Sequence, residues 1–191
     1  MSAKCEVVEF NSNSVRLRAR FFRPIGESLR SNQGVPCIVM AHGLGGTRAA
    51  GLEPFAQHFS EAGLAVLVFD YRGFGASDGA PRQVVDVRMQ LDDWAAAIAQ
   101  VRTMIDIDPR RIALWGSSFS GGLVVAAAVE DGRVAAVSSQ GGMLDGLAAL
   151  KNLLRRHGPL HLAKISALAA VDGMRARLGL PRYLLPVVGA P

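Results

Sequence analysis

The sequence predicts an α/β fold, a mostly parallel, doubly wound sheet with helices on both faces and an N-terminal hairpin. Short apolar runs typical of buried strands alternate along the chain with longer segments whose apolar residues recur at helical spacing. Loops rich in glycine and polar residues follow directly after three of these runs. Because the carboxyl ends of parallel strands meet at one edge of a sheet, we expect the three loops to lie close together.

The predicted elements begin with an antiparallel pair. Strands are expected at 5–10 and 15–23, because turn-forming asparagine and serine residues separate them. In the second strand, arginines alternate with apolar residues, and the arginine face is expected to lie in solvent. The continuous apolar run 37–41 predicts a strand covered on both faces.

The rest of the chain alternates helices and strands. A helix at 52–62 is favoured by Pro54 near its start and by Gly63 beyond its end. The spacing of the apolar residues predicts a second helix at 84–104, and residues 106–109 are expected to end it. The same patterns predict a third helix at 123–129 and strands at 64–69, 112–115 and 133–139.

Composition indicates a globular chain with a sizeable core. The chain has 191 residues, of which 50% are hydrophobic, and this composition excludes disorder. Cys5 and Cys37 are too few for a disulfide framework and have no metal-ligand spacing, so we expect a reducing cytoplasm and neither a metal nor a cofactor. The first ten residues contain no apolar leader segment, and no run is long enough to span a membrane. The sequence therefore predicts a soluble, cytoplasmic protein.

The formal net charge of +5 comes mostly from arginine, in two clusters near the ends of the chain. No aromatic residues interleave with the clusters and no binding module accompanies them, so we expect no nucleic-acid partner. Attraction to an anionic membrane surface or to an acidic substrate stays open as an alternative.

The most informative stretch joins the strand at 112–115 to the helix at 123–129. Gly116, Ser118 and Ser120 form the pattern small-x-Ser-x-small, which a sharp strand-to-helix turn requires because strand and helix approach closely there. Ser118 is the preferred centre. Ser117 is disfavoured because it would put Trp115 at a small-residue position, and Ser120 stays the main alternative. An ordinary turn with a serine N-cap is the simpler interpretation.

Together, the three loops resemble motifs of the α/β-hydrolase superfamily. Residues 42–46 (His-Gly-Leu-Gly-Gly) resemble its oxyanion loop, 70–75 (Asp-Tyr-Arg-Gly-Phe-Gly) the loop after strand 4, and 116–120 (Gly-Ser-Ser-Phe-Ser) its nucleophile elbow. Within the superfamily, the chain is most similar to bacterial serine hydrolases near the dienelactone-hydrolase, X-Pro dipeptidyl-peptidase and cocaine-esterase groups. The resemblance covers roughly residues 15–145.

The resemblance implies an esterase or peptidase-like serine hydrolase that acts on a small-molecule ester or amide. Ser118 would be the nucleophile, and the backbone N–H groups of Leu44 and Phe119 would hold the oxyanion. The resemblance also implies a structural role for His42, with general-base action as the alternative. Asp70 and Arg72 are expected to fix their loop.

The chain departs from the family pattern after Ser118. The family's acid and histidine follow later strands, but only 73 residues (191 − 118) remain, and most of them are predicted to be helical. Residues 1–144 are therefore expected to form the hydrolase core with strands 1 to 6. Residues 145–191 are expected to form a helical, lid-like segment with an apolar tail at 184–189. The last strands, the acid and the histidine are expected to be missing.

Two function hypotheses follow from this departure. The first is a serine hydrolase, complete or the N-terminal part of a longer protein, in which Asp145 could serve as the acid and His157 or His161 as the base. The second is an inactive remnant or binding module that retains the first half of the fold. In either case, the strand at 133–139 is expected to be an unprotected sheet edge through which the chain self-associates.

Overall fold

The computed structural model describes residues 4–185. The chain divides into two compact units, Met1–Gly142 and Met143–Pro191. The strands of the described part are β1 (Cys5–Ser12), β2 (Val15–Phe22), β3 (Val35–Ala41), β4 (Ala65–Phe69), β5 (Ile107–Ser117) and β6 (Ala136–Gln140). The helices are α1 (Glu53–Glu61), α2 (Val87–Thr103), α3 (Phe119–Asp131) and α4 (Gly146–Arg177).

The strands of the first unit form a single sheet in the order β1-β2-β4-β3-β5-β6. The hairpin strands β1 and β2 are antiparallel to each other, and β2 is antiparallel to β4. The remaining pairs, β3 with β4, β3 with β5 and β5 with β6, are parallel. The predicted fold class is therefore confirmed, and the loops after β3, β4 and β5 begin at the same edge of the sheet.

Alternate residues of the central strands pack against helices on opposite faces. In β3, Cys37, Val39 and Ala41 belong to a core cluster with the apolar sides of α2 and α3. Ile38 and Met40 belong to a smaller cluster with residues from α1. This alternation follows from the two-residue repeat of a strand, and it explains why continuous apolar runs predicted strands covered on both sides.

The start of β5 differs from the prediction. Pro109 was expected to end the preceding segment, but it lies inside β5, which begins at Ile107. The ladder between β3 and β5 shifts register between Val35 and Cys37, as at a β-bulge. Proline is tolerated at a bulge because its missing N–H costs no ladder hydrogen bond there.

The arginine face of β2 is also not the simple solvent face that was predicted. Arg18 contacts Glu9 at 2.7 Å and Asp78 at 3.1 Å, and Arg20 contacts Glu53 at 2.7 Å. Period-two alternation separates the arginines from the core, but it carries no information about acidic partners from β1, α1 and the loop after β4. These partners neutralise much of the N-terminal basic cluster.

The second unit consists mainly of α4. Asp145 caps this helix by accepting hydrogen bonds from the N–H groups of Leu147 and Ala148, at 2.8 and 3.1 Å. The helix is kinked at Gly158, where φ is 78°, and Pro159 follows. Helical structure was predicted for this segment, whereas its role as a lid stays a prediction. From residue 186 onward, the predicted apolar tail lies outside the described residues.

Candidate active site

Ser118 lies at the turn between β5 and α3 with a strained backbone. Its φ of 55° and ψ of −123° fall in a region that non-glycine residues rarely occupy. Its N–H donates to the carbonyl of Gln140 at 2.9 Å, and its carbonyl accepts from the N–H of Gly121 at 3.0 Å. Although Ser118 occupies the N-cap position of α3, its exposed side chain makes no capping hydrogen bond. The turn therefore presents a hydroxyl that the helix itself does not use.

Small residues flank this turn for a steric reason. A Cβ on Gly116 would lie 2.5 Å from the carbonyl oxygen of Ser120, so the start of α3 can pack against the end of β5 only when residue 116 is glycine. Ser120 itself is buried. The tight approach of α3 to β5 leaves Ser118 exposed and Ser120 buried.

A buried hydrogen-bond chain holds Ser120. The indole Nε1–H of Trp94 donates to the hydroxyl of Tyr71 at 2.8 Å, and that hydroxyl lies 3.1 Å from the Oγ of Ser120. Burial raises the pKa of Tyr71, so its hydroxyl stays protonated and neutral. The hydroxyl of Ser120 is thus engaged in a structural contact, whereas that of Ser118 is exposed.

The glycine-rich loop after β3 approaches Ser118 closely. A Cβ on Gly43 would lie 3.4 Å from the Cβ of Ser118 and 3.8 Å from its Oγ. The next residue, Leu44, has a side chain that is 46% exposed, so it does not anchor the loop in the core. Within residues 4–185, neither Leu44 nor Phe119 donates its backbone N–H to a backbone carbonyl. Two N–H groups near this turn are therefore without a backbone acceptor.

His42 is buried beneath that loop. Its Nδ1 lies 2.9 Å from the carbonyl oxygen of Gly43, and its ring packs edge-on against Tyr71 with 4.8 Å between the centroids. Burial lowers the pKa of His42, against the opposing effects of the Gly43 carbonyl and the charge of Asp70. The Nε2 atom is buried without a hydrogen-bond partner. These contacts agree with a structural role for His42.

Asp70 joins the loop after β3 to the loop after β4. Its buried carboxylate accepts from the backbone N–H and the guanidinium of Arg48, both at 2.7 Å, and from the N–H of Ala76 at 3.1 Å. A second buried carboxylate, Asp93 on α2, accepts from the backbone N–H and the guanidinium of Arg72. Both polar loops are thus fixed by charge-assisted hydrogen bonds, which agrees with the loop-fixing role expected of Asp70 and Arg72.

The predicted acid and base residues belong to the second compact unit of the chain. Asp145, His157 and His161 all belong to the second unit, where Asp145 caps α4 and the two imidazole rings lie 4.9 Å apart. Their catalytic roles stay predictions. Among the described residues, no group of three or more histidine, cysteine, aspartate or glutamate side chains could hold a metal ion.

Arg48, Tyr71 and Trp94 support the site but were not predicted from the sequence. One signal was available for Arg48, because a buried aspartate after a strand needs a cationic or N–H partner and Arg48 is in a neighbouring loop. The contact between Tyr71 and Ser120 joins residues 49 positions apart, and no local pattern in the sequence indicates it.

Comparison with known proteins identifies the family. A family model described as X-Pro dipeptidyl-peptidase (S15 family) matches residues 13–178. The chain belongs to this family. Its sheet order, helices and loop positions are those of an α/β-hydrolase, as the sequence motifs had suggested.

Curated relatives and solved structures agree with this assignment. The chain is 44% identical over 180 residues to the quorum-quenching protein AidA of Acinetobacter baumannii, covering 94% of this chain and 56% of AidA. It is 37% identical to the thiohydrolase aneE of Aspergillus aculeatus, covering 70% of this chain and 40% of aneE. The crystal structure of the α/β-hydrolase GrgF from Penicillium sp. sh18 matches with a TM-score of 0.78 and 29% identity, over 97% of this chain and 59% of GrgF.

This chain thus spans little more than half the length of AidA and GrgF. The family is named for a peptidase, and the relatives with which the chain aligns include a thiohydrolase, a polyketide transferase and an α/β-hydrolase. None of the helices within residues 4–185 combines the length and the apolar character that a membrane-spanning helix requires.

Proposed function

We propose that this chain carries the nucleophile and oxyanion hole of a serine hydrolase that acts on carboxylic esters or thioesters. The observation that carries the proposal is the exposed, strained Ser118 at the N-terminal end of α3. Strain of this kind costs of the order of 1–3 kcal/mol and persists mainly where function requires it. The similarity to the thiohydrolase aneE supports thioesters as one substrate class.

In the proposed mechanism, the Oγ of Ser118 attacks the acyl carbon, and the carbonyl oxygen becomes an oxyanion. The free backbone N–H groups of Leu44 and Phe119 donate to this oxyanion, and the positive end of the α3 dipole adds to its stabilisation. The bond to the alcohol or thiol then breaks, and the proton that leaves Ser118 ends on that leaving group. Water then attacks the acyl carbon, the bond between that carbon and the Oγ of Ser118 breaks, and a proton from the water returns to the Oγ as the acid leaves.

The roles of the supporting residues follow from their contacts. Gly43 allows the loop to approach Ser118, and the pair Arg48 and Asp70 holds that loop in place. The hydrogen-bond chain from Trp94 through Tyr71 to Ser120 anchors the start of α3. Removal of one oxyanion donor typically costs about 3 kcal/mol of transition-state stabilisation. These contacts therefore need to keep the N–H groups of Leu44 and Phe119 within hydrogen-bond distance of the oxyanion.

Labelling with a fluorophosphonate probe tests the proposal on the 191-residue chain. The probe should label the protein covalently, and Ser118→Ala should abolish labelling. Ser28→Ala is the control, because it removes the hydroxyl of an exposed serine in the segment between β2 and β3 and should retain labelling. Absence of labelling in the unmodified chain, or labelling that persists in Ser118→Ala, would contradict the assignment of Ser118.

A binding module without turnover is the second candidate function. It is favoured by the position of the imidazoles, because the described histidines of the first unit are His42, which is buried against Gly43, and His58, which contacts Glu61 on the surface. The outcome that supports this candidate is stoichiometric labelling of Ser118 with no turnover of p-nitrophenyl acetate or of an acyl thioester. Sustained turnover that is lost in Ser118→Ala supports the hydrolase.

A further inference from the structure

A groove on the α1 side of the sheet lies next to the Ser118 turn. It has a volume of about 460 Å³, which is within the usual range for small-molecule sites. Its walls include Leu52, Phe55, Phe59, Trp115, Ser117 and Gln140. The backbone carbonyl of Gln140 accepts the N–H of Ser118 at 2.9 Å, so one end of the groove is a single hydrogen bond away from the proposed nucleophile.

Aromatic rings form one wall of this groove. Phe55 and Phe59 are four residues apart on α1, so both rings lie on the same side of the helix. The ring of Phe55 is tilted against that of Trp115 with 5.2 Å between the centroids, and the ring of Phe59 lies edge-on to Trp115 at 6.5 Å. Trp115 is almost fully buried, but Phe55 is 49% exposed. A half-exposed phenylalanine beside a buried tryptophan leaves an aromatic face available to a ligand.

The chemistry of the groove selects against a positively charged group. Among the described residues that line it, Ser117 and Gln140 have the polar side chains, and none is acidic or basic. A dipeptidyl-peptidase substrate carries a free ammonium group, which requires a carboxylate or several acceptors when it is removed from water. The groove is therefore unsuited to a peptide N-terminus, and its aromatic wall is suited to a flat, apolar group.

A second cavity, with a volume of about 260 Å³, differs from the groove in its position and in the charge of its lining. It lies at the opposite edge of the sheet, beside Val35 and Ile107 at the starts of β3 and β5. Its charged lining residues include Arg30, which contacts Glu27 and Asp106 within the protein. Of these two cavities, the groove combines a partly exposed aromatic surface with proximity to the backbone of Ser118.

We propose that this groove binds the acyl group of the substrate and selects arylalkyl acyl groups, such as a 3-phenylpropanoyl group, with Phe55 as the specificity-determining residue. The inference rests on the proposed function of Ser118. An aryl ring placed against Phe55 and Trp115 gains offset or edge-on aromatic contacts. The acyl carbonyl then lies toward Ser117 and Gln140, at the end of the groove nearest Ser118.

Binding of the product acid tests the groove without requiring catalysis. The chain contains two tryptophans, and Trp94 is fully buried, so a change in fluorescence on addition of 3-phenylpropanoate should report on Trp115. We expect saturable binding that is at least fivefold weaker in Phe55→Ala, and a signal that disappears in Trp115→Phe. Ile105→Ala is the matched control, because this exposed apolar side chain lines the opposite cavity and its removal should leave the affinity unchanged.

The specificity is tested by two probes that share the reactive group. A phenylalkyl fluorophosphonate should label Ser118 at least fivefold faster than its ethyl counterpart, and Phe55→Ala should bring the ratio of the two rates close to one. Equal affinity of Phe55→Ala and the unmodified chain for 3-phenylpropanoate, or equal labelling rates for both probes, would overturn the inference. Failure of both probes with intact acid binding would instead count against Ser118 as the nucleophile and leave the groove assignment supported.

Discussion

Arg48 binds Asp70 through two separate groups, its backbone N–H and its guanidinium, each 2.7 Å from a carboxylate oxygen. The side chain of Asp70 is only 2% exposed, so the pair is largely removed from solvent. The contact connects the loop after β3, which contains Leu44, to the loop after β4. The position of the proposed oxyanion donor therefore depends on a residue four positions further along the chain.

Arg48→Met should destabilise the protein and disorder this loop. The substitution keeps much of the aliphatic stem but leaves the buried Asp70 carboxylate without its cation, which typically costs about 3–5 kcal/mol. Urea unfolding measures the loss. Arg88→Met is the control, because Arg88 forms exposed ion pairs with Asp92 and Glu130, and exposed pairs contribute about 1 kcal/mol or less. Equal midpoints for the two variants would contradict the role given to Arg48.

Ser118→Gly should stabilise the folded chain while it abolishes probe labelling. Glycine adopts a positive φ without the steric cost that serine carries at 55°, and release of this strain stabilises the folded chain by roughly 1 kcal/mol. The greater conformational entropy of glycine in the unfolded state offsets part of this gain. Ser118→Ala keeps the Cβ and should bring no such gain. Thermal melting compares the two variants, and a lower midpoint for Ser118→Gly than for Ser118→Ala would show that the turn is not strained.

His42 should make the folded state less stable as the pH falls below neutrality. Burial lowers the pKa of His42 in the folded chain, whereas in the unfolded chain it is about 6.5. At pH values between the two pKa values, the unfolded state therefore binds more protons than the folded state. The free energy of unfolding falls by up to about 1.4 kcal/mol for each unit by which the pH is lowered in that window.

Urea titrations at pH 7, 6 and 5 measure this dependence. His42→Gln should flatten it, because glutamine does not titrate. In contrast, His58→Gln should leave it unchanged, because the side chain of His58 is 80% exposed. Identical pH profiles for His42→Gln and the unmodified chain would exclude His42 as the source.

The β6 edge should promote self-association of the 191-residue chain. β6 is the last strand of the described sheet, and the side chain of Val137 within it is 41% exposed. Such an edge presents unpaired N–H and C=O groups to a second chain. Light scattering after size exclusion should detect dimers or larger species, and Ala136→Lys should shift them toward monomer. Val129→Lys adds the same charge on α3 and should not; a monodisperse monomer of the unmodified chain would refute the prediction.

Local patterns in the sequence were sufficient to predict most of the fold. Apolar runs at 37–41 and 64–69 identified strands β3 and β4, because a strand buried on both faces tolerates few polar residues. The small residues around Ser118 indicated the strand-to-helix turn, since only small side chains fit where strand and helix meet. Element boundaries were less accurate, and the start of β5 was missed because a bulge accommodates Pro109.

The sequence by itself determined the α/β class, the order of the loops and the preference for Ser118 over its neighbours, because these depend on periodicity and on residue size within a few positions. The tertiary structure alone decided which distant groups meet: Arg48 with Asp70, Tyr71 with Ser120, and Phe55 with Trp115. Each of these contacts joins residues that belong to different loops, helices or strands. They depend on strand order and register, which no local pattern specifies.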